Sequence, residues 1–459
     1  MHFLRPLFFK SFLSPVLVLA ALALVVTAPR VANAEALLLV EADSGKVLQA
    51  ENATYPWYPA SVTKLMTAYV TLKAVKEGRI TLDTLFTVSP TAASQSPSKM
   101  GFRPGTQVTV DNGLKMMLVK SANDMAVLLA EGVGGSIDGF SAMMNDNAKR
   151  LGMTQTSYVN PNGLPADGQI TSARDLAILA RAIIHDLPEY EYFVHIPSIR
   201  YGRRVTQNFN KLIGRYPGAD GFKTGFICAS GYNLVASATR NGKRLIAVVL
   251  GASSGQARAV KAAQMLERGF AADTLSWLRP SLGIVDKLVP VDASPPNLRD
   301  EMCNGKRHRP ANDEDEDTIA AGNDASGSAA LAFFATGLQA PALKPSELMA
   351  AAPAPSEPIP VYAGPTRTGA ALIAAVAADT AEQQAAARHR GKKSHIATRK
   401  LDASADKSEV KDSGKAKHAN AKPDSTAKTA DKPETKPTRP KAAAKPAKPA
   451  PRNSDAKSG

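Results

Sequence analysis

The stretch Tyr58 to Val70, YPASVTKLMTAYV, sets a hydroxyl at Ser61 and an amine at Lys64 three positions apart, where an apolar helical pattern begins. Residues i and i+3 share a helix face, so the serine oxygen and the lysine nitrogen can meet across one turn. That is a nucleophile beside a candidate base. Burial removes the solvent that stabilises an ammonium and lowers its pKa, which makes such an amine usable as a base near neutral pH. The same letters also describe a serine N-cap followed by a surface lysine, and the pair alone does not decide between the two.

The elements around the pair can be read from periodicity. Leu65, Met66, Tyr69, Leu72 and Val75 recur at helical spacing and Gly78 ends the run, so this helix should bury a face against a core. Upstream, Ala36 to Val40 and Lys46 to Ala50 flank the turn Asp43-Ser44-Gly45, which predicts a β-hairpin. Helical patterns follow at Ser61 to Glu77, Val110 to Glu131, Ile137 to Leu151 and Ser172 to His185, joined by turn-rich connections such as Asn160-Pro161-Asn162-Gly163. Tyr232 to Thr239 and Arg244 to Gly251 around Arg240-Asn241-Gly242 predict a second hairpin, and Arg258 to Phe270 a closing helix. Strands at both ends with helices between them suggest an α/β layer in which the N- and C-terminal strands share one sheet.

Three further clusters bear on Ser61. Ser121-Ala122-Asn123 interrupts the helical pattern LKMMLVKSANDMAVLLAE and puts a second hydroxyl and a carboxamide on a short connection. Lys223-Thr224-Gly225 follows Gly221 and precedes the second hairpin, which suits a strand edging a cleft. The third is the segment Gly163 to Ala177, GLPADGQITSARDLA. Singly, each has an ordinary structural reading: Ser-x-Asn can cap the next helix, and Lys-Thr-Gly is common in strands and turns.

Composition bounds the rest. The chain has 459 residues, room for about three domains by length, but the last aromatic residue is Tyr362. Arg388 to Gly459 holds 20 Lys and Arg against 8 Asp and Glu, a net +12 of the whole chain's +15, so residues 1–387 carry only +3. The basic character belongs to the tail. Residues 1–34 pair Arg5 and Lys10 with an apolar run from Val16 to Ala28 and the small residues Ala32-Asn33-Ala34, the pattern of a secretory signal; a retained anchor is the other reading of this run. The organisation read from these features is a signal at 1–34, a folded domain at 35–285, an Ala/Pro-rich linker at 286–390 and a basic tail at 391–459. The linker and tail bury too little apolar surface to offset the entropy of ordering and are expected to be disordered, with a transient helix possible at Ala370 to Ala387. The two cysteines, Cys228 and Cys303, either pair or stay as buried thiols.

Ser-x-x-Lys at Ser61, Ser-x-Asn at Ser121 and Lys-Thr-Gly at Lys223, in that order, resemble the motif set of penicillin-binding proteins and class A β-lactamases. Together with GLPADGQITSARDLA and GYNLVASATRNGKRLIAVVLG at Gly231 to Gly251, the stretch from Glu35 to Phe270 is most similar to the low-molecular-weight D-alanyl-D-alanine carboxypeptidases of the type 5 group. The resemblance implies a β-lactamase/transpeptidase-like α+β fold, an antiparallel sheet packed with a helical cluster. It implies that Ser61 attacks the carbonyl between two terminal D-alanines of a peptidoglycan stem, with Lys64 accepting its proton. Ser121 would relay a proton to the leaving amine, and Asn123 would hold Lys64 and the substrate amide. Lys223 and Thr224 would bind the free carboxylate, with the charge of Lys223 keeping Lys64 neutral. Gly225 fits a strand that a substrate backbone approaches closely. The backbone N–H groups of Ser61 and Phe226 would form the oxyanion hole, and Arg258 would assist carboxylate binding. β-Lactams are the implied covalent inhibitors, and no cofactor or metal is implied.

This chain departs from the pattern at two points. Phe226 stands where many relatives carry a histidine, and neither a β-rich second domain nor an amphipathic anchor is visible after Leu278. A β-lactamase of the same fold would need a deacylating glutamate, and Asn160 to Gly168 offers only Asp167. The motifs also suit a penicillin-binding sensor without turnover, and the basic tail a polyanion-binding envelope protein. Export argues against nucleic acid as a partner of the tail and leaves weak, salt-sensitive contact with anionic lipid or wall polymers. His185 and His195 lack a metal-ligand spacing, and no phosphate-binding glycine loop occurs. Periplasm or cell envelope is the expected location.

Overall fold

The computed structural model describes residues 35–271, 280–304, 344–375, 377–378 and 381. The expected signal and basic tail lie outside these residues, as does half of the Ala370 to Ala387 stretch, whose described residues are helical. The hairpin β1 (Ala36–Glu41) and β2 (Val47–Glu51) turns at Gly45, whose positive φ suits the residue without a Cβ. β1 then pairs antiparallel with β9 (Lys243–Ala252), which pairs with β8 (Gly231–Arg240), which pairs with β7 (Ala219–Ile227). The strand order is β2-β1-β9-β8-β7, so the first and last parts of the domain share one sheet and β7 is its edge.

The sheet is buried on both faces, and the period-2 alternation of the strands divides the core. Leu38, Val40, Val235, Ile246 and Val248 face a helical cluster, while Leu37, Leu39, Leu234, Leu245 and Val249 face the closing helix α7 (Gly255–Ala271). The helical cluster contains α1 (Lys64–Lys76), α3 (Val110–Val119), α4 (Asn123–Gly134), α5 (Ile137–Arg150) and α6 (Ala173–Asp186); a one-turn helix α2 (Pro90–Ser94) precedes α3. α1 is buried all round rather than on one stripe: every residue from Lys64 to Leu72 is buried, Lys64, Thr67 and Thr71 among them, which suits a helix running through the middle of the cluster. It stops where Gly78 takes a left-handed backbone conformation.

Short strands outside the main sheet escape the sequence reading: β3 (Leu85–Thr87) with β4 (Gln107–Thr109), and β5 (Ser198–Tyr201) with β6 (Arg204–Gln207). Part of the segment expected to be disordered is ordered. Residues 284–304 dock beside the first hairpin and β7, burying Val285, Leu298 and Met302 and placing α8 (Arg299–Cys303) so that Cys303 forms a disulfide with Cys228. Residues 344–362 form α9 (Pro345–Ala350) and β10 (Ile359–Pro360), which pairs parallel with β5 and buries Met349 and Val361. The reason is physical: isolated apolar residues and one covalent link can dock a chain segment that has no internal periodicity. Among the described residues no helix is long and apolar enough to cross a membrane.

Candidate active site

Ser61 sits on a single 3-10 turn, Ala60–Thr63, that runs directly into α1. Ala60 holds a positive φ of 50°, uncommon for a residue with a Cβ, and the structure around it fixes that conformation. The Asn233 carboxamide on β8 donates to the carbonyls of Tyr58 (2.9 Å) and Pro59 (3.1 Å) and accepts from Gly251 N–H. Trp57 donates from its indole to Ser230 O at 3.0 Å. The sheet therefore grips the residues before Ser61. Gly225 on β7 faces the same turn so closely that a Cβ there would lie 2.7 Å from Ser61 N and 3.0 Å from Val62 N.

Lys64 is wholly buried, and its Nζ lies 2.9 Å from Ser61 Oγ, 2.7 Å from Asn123 Oδ1 and 2.7 Å from the Asn162 carbonyl. Two of these partners are amide oxygens that can only accept, and the third is a hydroxyl. A neutral amine gives its N–H groups to the two amides and turns its lone pair to the serine hydroxyl, which is the arrangement a base needs. The amides are themselves held: Asn123 Nδ2 donates to Ser96 O at 2.9 Å and Asn162 Nδ2 to Gln95 Oε1 at 2.9 Å.

Ser121 lies in the break between α3 and α4 with a positive φ of 61°. Its hydroxyl is buried and has no hydrogen-bond partner among the described residues. The connection is pinned from outside: Asn123 N–H donates to Ser98 O at 2.8 Å, Ser98 Oγ to Lys120 O at 2.8 Å, and Asp124 accepts from Met100 and Gly101 N–H. Burial pushes the Asp124 carboxyl above the usual carboxylate range, and these backbone donors pull it back. A positive φ and an unpartnered hydroxyl thus meet in one buried connection.

On β7, Lys223 and Thr224 are buried, and Lys223 Nζ donates to Thr224 O at 3.1 Å. The Phe226 ring stacks on Tyr232 with centroids 4.2 Å apart, on the α7 side of the sheet. Arg258 of α7 is buried beneath the strand, its guanidinium facing the carbonyls of Gly225 (3.4 Å), Asn233 (3.3 Å) and Phe209 (3.4 Å) and the Tyr232 ring. Its contacts make it a support for the strand that carries Gly225.

A hydroxyl–amine pair at the start of a buried helix, backed by a carboxamide and faced by an edge strand, is accompanied by direct similarity to known proteins. The D-alanyl-D-alanine carboxypeptidase family model, Peptidase_S11, matches residues 23–254. The chain belongs to this family. It is 40% identical over 273 residues to D-alanyl-D-alanine carboxypeptidase DacC of Escherichia coli, covering 58% of this chain and 68% of that protein. It is 37% identical over 246 residues to DacF of Bacillus subtilis, covering 52% and 62%. Among solved structures, penicillin binding protein 5 from Haemophilus influenzae superposes with a TM-score of 0.51 at 36% identity, covering 53% of this chain and 73% of that one. The carboxypeptidase DacD from Francisella tularensis gives 0.50 at 31% identity, covering 51% and 70%. The mixed helical and antiparallel-sheet fold expected from the resemblance is the fold observed.

For this member of the carboxypeptidase family, the structure brings Ser61, Lys64 and Asn123 into one hydrogen-bonded cluster and puts Gly225 against the backbone of Ser61. Ser121 lies two residues before Asn123, and Lys223, Thr224 and Phe226 lie on the strand that carries Gly225. Two contributors carry no plain sequence signature. Asn162 acts on Lys64 through a main-chain carbonyl, which no residue type announces, although its turn Asn160-Pro161-Asn162-Gly163 is visible in the sequence. Asn233 in GYNLVAS carries a carboxamide in the middle of a buried strand, and that misplaced polarity is the available signal.

Proposed function

We propose that the protein is an exported serine D-Ala-D-Ala carboxypeptidase that removes the terminal D-alanine from peptidoglycan stem peptides through an acyl-enzyme on Ser61. The observation that carries this reading is the Lys64 Nζ to Ser61 Oγ contact of 2.9 Å within a wholly buried amine site. Lys64 takes the serine proton as Oγ attacks the scissile carbonyl. The Ser61 N–H, in a first helical turn with no intrahelical acceptor, and the Phe226 N–H oppose the charge on the attacked oxygen. Ser121 Oγ passes the proton to the departing amine of D-alanine. Water then hydrolyses the ester, with Lys64 serving again as base. Lys223 and Thr224 bind the free carboxylate and so restrict the reaction to chain ends. Phe226 leaves the backbone donor in place without an imidazole.

β-Lactams present a strained carbonyl to the same serine and are expected to acylate it. Export is supported by the pattern of residues 1–34 and by the Cys228–Cys303 disulfide, which an oxidising compartment maintains. Deletion of the basic tail tests whether residues 391–459 contact anionic lipid or wall polymers: salt-sensitive envelope retention should be lost. The function is tested by incubating wild type and Ser61→Ala with labelled penicillin, reading intact mass, alongside D-alanine release from a pentapeptide. One label per wild-type chain, none on the variant, and release by wild type alone is the expected outcome. Labelling without release leaves a penicillin-binding sensor, and rapid lactam turnover a β-lactamase.

A further inference from the structure

Ser61 and Lys64 stand between two walls. One is β7, whose Gly225 lies against the Ser61 backbone, and the other is the connection between α3 and α4, whose Asn123 holds Lys64. Residues 344–367 are attached to both. On the β7 side, Met349 of α9 is buried with the closing helix and with Leu212 and Tyr216, while Arg215 donates to Ala351 O at 2.7 Å and Ala354 N–H to Gly214 O at 2.6 Å. The loop that receives them runs into β7 and is pinned to it by Asn210 Nδ2, which donates to Gly221 O at 2.7 Å. On the helical side, β10 pairs with β5, Tyr362 N–H donates to Asn112 Oδ1 in the first turn of α3 at 3.1 Å, and Gly364 N–H to Gln107 O on β4 at 2.7 Å. β5 also carries Tyr201, whose ring meets that of Phe102 edge-on with centroids 5.5 Å apart. Phe102 follows directly on the Ser98 to Gly101 stretch whose backbone holds Asn123 and Asp124.

Between the two anchorages, residues 351–357 are all exposed, and Pro353, Pro355, Pro358 and Pro360 fall in or beside this link. Proline fixes φ, and such a run favours an extended, semi-rigid chain of about 3 Å per residue. Ala351 to Ile359 is therefore a spacer of at most about 25 Å rather than a slack tether. We propose that residues 344–367 are a clasp that fixes the separation of the two walls, and so positions Ser121 and Asn123 against Lys223 and Thr224. The inference rests on the carboxypeptidase reading for the roles of these side chains. The carboxylate grip at Lys223 and Thr224 and the proton relay at Ser121 act on one peptide from opposite walls. A relative shift of about 1 Å misplaces one or the other and slows the reaction.

The test cuts the clasp in the folded, full-length protein. Residues 352–357 are recoded at unchanged length as the recognition sequence of a site-specific protease, which leaves the buried anchors Met349 and Val361 untouched. The cut form is compared with wild type in three measurements. Acylation of Ser61 by labelled penicillin, which needs both walls, should be about tenfold slower. Affinity for a small arylboronic acid without a carboxylate, which adds to Ser61 Oγ and needs neither Lys223 nor Ser121, should stay within about twofold. Hydrogen exchange should rise in residues 96–104 and 208–216 with α1 still protected. Wild-type acylation by the cut form overturns the proposal. So does an equal loss of acylation and boronic-acid affinity with α1 deprotected, since that is a general loosening of the fold. Wild type that does not react with penicillin counts against the carboxypeptidase reading instead; exchange then decides the clasp, and unchanged exchange in residues 96–104 after cutting overturns it.

Discussion

Gly225 and Ser61 belong to elements far apart in sequence, yet a Cβ on Gly225 would stand 2.7 Å from the Ser61 backbone nitrogen. The edge strand and the nucleophile turn are thus in contact through main chain alone, and neither neighbour is a flexible side chain that can yield. Gly225→Ala must push them apart. The expected result is a destabilisation of about 1–3 kcal/mol and a fall of about 10²-fold in the rate of penicillin acylation, because an oxyanion site tolerates little displacement. Denaturation and intact-mass time courses on the same preparation check both, and wild-type acylation by the variant removes the contact from the mechanism.

Lys64 Nζ lies within hydrogen-bond distance of three oxygens, donating to Asn123 Oδ1 and Asn162 O and facing the Ser61 hydroxyl with its lone pair. Lys64→Met keeps the volume but leaves Asn123 Oδ1 and Asn162 O without that donor, so stability should drop by about 1–3 kcal/mol. Loss of the base should slow acylation of Ser61 by about 10²–10⁴-fold. Lys64→Arg retains a cation that cannot accept a proton and should be equally slow. An arginine variant that acylates near the wild-type rate would assign the base elsewhere.

Ser121 separates structure from function most cleanly. Its buried hydroxyl has no partner among the described residues, so Ser121→Ala breaks no hydrogen bond and relieves an unsatisfied group. Stability should stay within about 0.5 kcal/mol of wild type while D-alanine release falls by about 10²-fold. Thermal midpoint and turnover measured together test this; a loss of stability with unchanged turnover would make the residue a packing element.

The Ser61–Lys64 pair, the central helix and the two hairpins are legible because each is a local pattern: an i,i+3 spacing, a helical period, a turn between alternating runs. Strands at both ends suggest that β1 joins the C-terminal strands, but the register Ala36↔Leu250 lies in no local signal. The short strands β5 and β6 have four residues each, too few for a period to emerge, and β10 meets β5 from about 160 positions away in an Ala/Pro-rich stretch. Met349, Val361 and Tyr362 are the apolar clues there. Within the site, residue types point to the side chains that react, whereas the Asn162 carbonyl and the backbone contact of Gly225 depend on where main chain passes.

The Cys228–Cys303 disulfide closes a separation of 75 residues, for which loop-closure entropy gives an upper bound of about 4 kcal/mol. The link anchors the end of a segment otherwise held by buried Val285, Leu298 and Met302 and by hydrogen bonds to Asp286 O from Arg174, to Val291 O from Gln155 and from Leu298 N–H to Ala229 O. Reduction should therefore free the end of this segment, residues 298–304, before it unfolds the domain. Hydrogen exchange on the reduced, alkylated protein should show new exposure there with α1 still protected, and penicillin acylation should persist. Simultaneous loss of protection in α1 would make the bridge a determinant of the whole fold.

Tyr69, on the central helix, donates its hydroxyl to Asp186 and accepts from Arg150 at 2.6 Å. Burial first and the bond to Asp186 second push its pKa up from 10.0 to about 12, with Arg150 opposing. The folded protein therefore holds a proton that the unfolded chain releases above pH 10. Its contribution to stability is complete below pH 10 and is lost as pH rises from 10 through about 12. Wild type should lose stability across that window more steeply than Tyr69→Phe, which has no proton to lose, while near neutrality the phenylalanine variant is the weaker by about 1–2 kcal/mol for the missing hydrogen bonds. Lysines that titrate in the same range are common to both proteins and cancel in the difference. Urea unfolding at a series of alkaline pH values, paired with phenolate absorbance, reads the effect; parallel pH profiles for the two proteins would mean that Tyr69 ionises as freely in the folded state as in the unfolded chain.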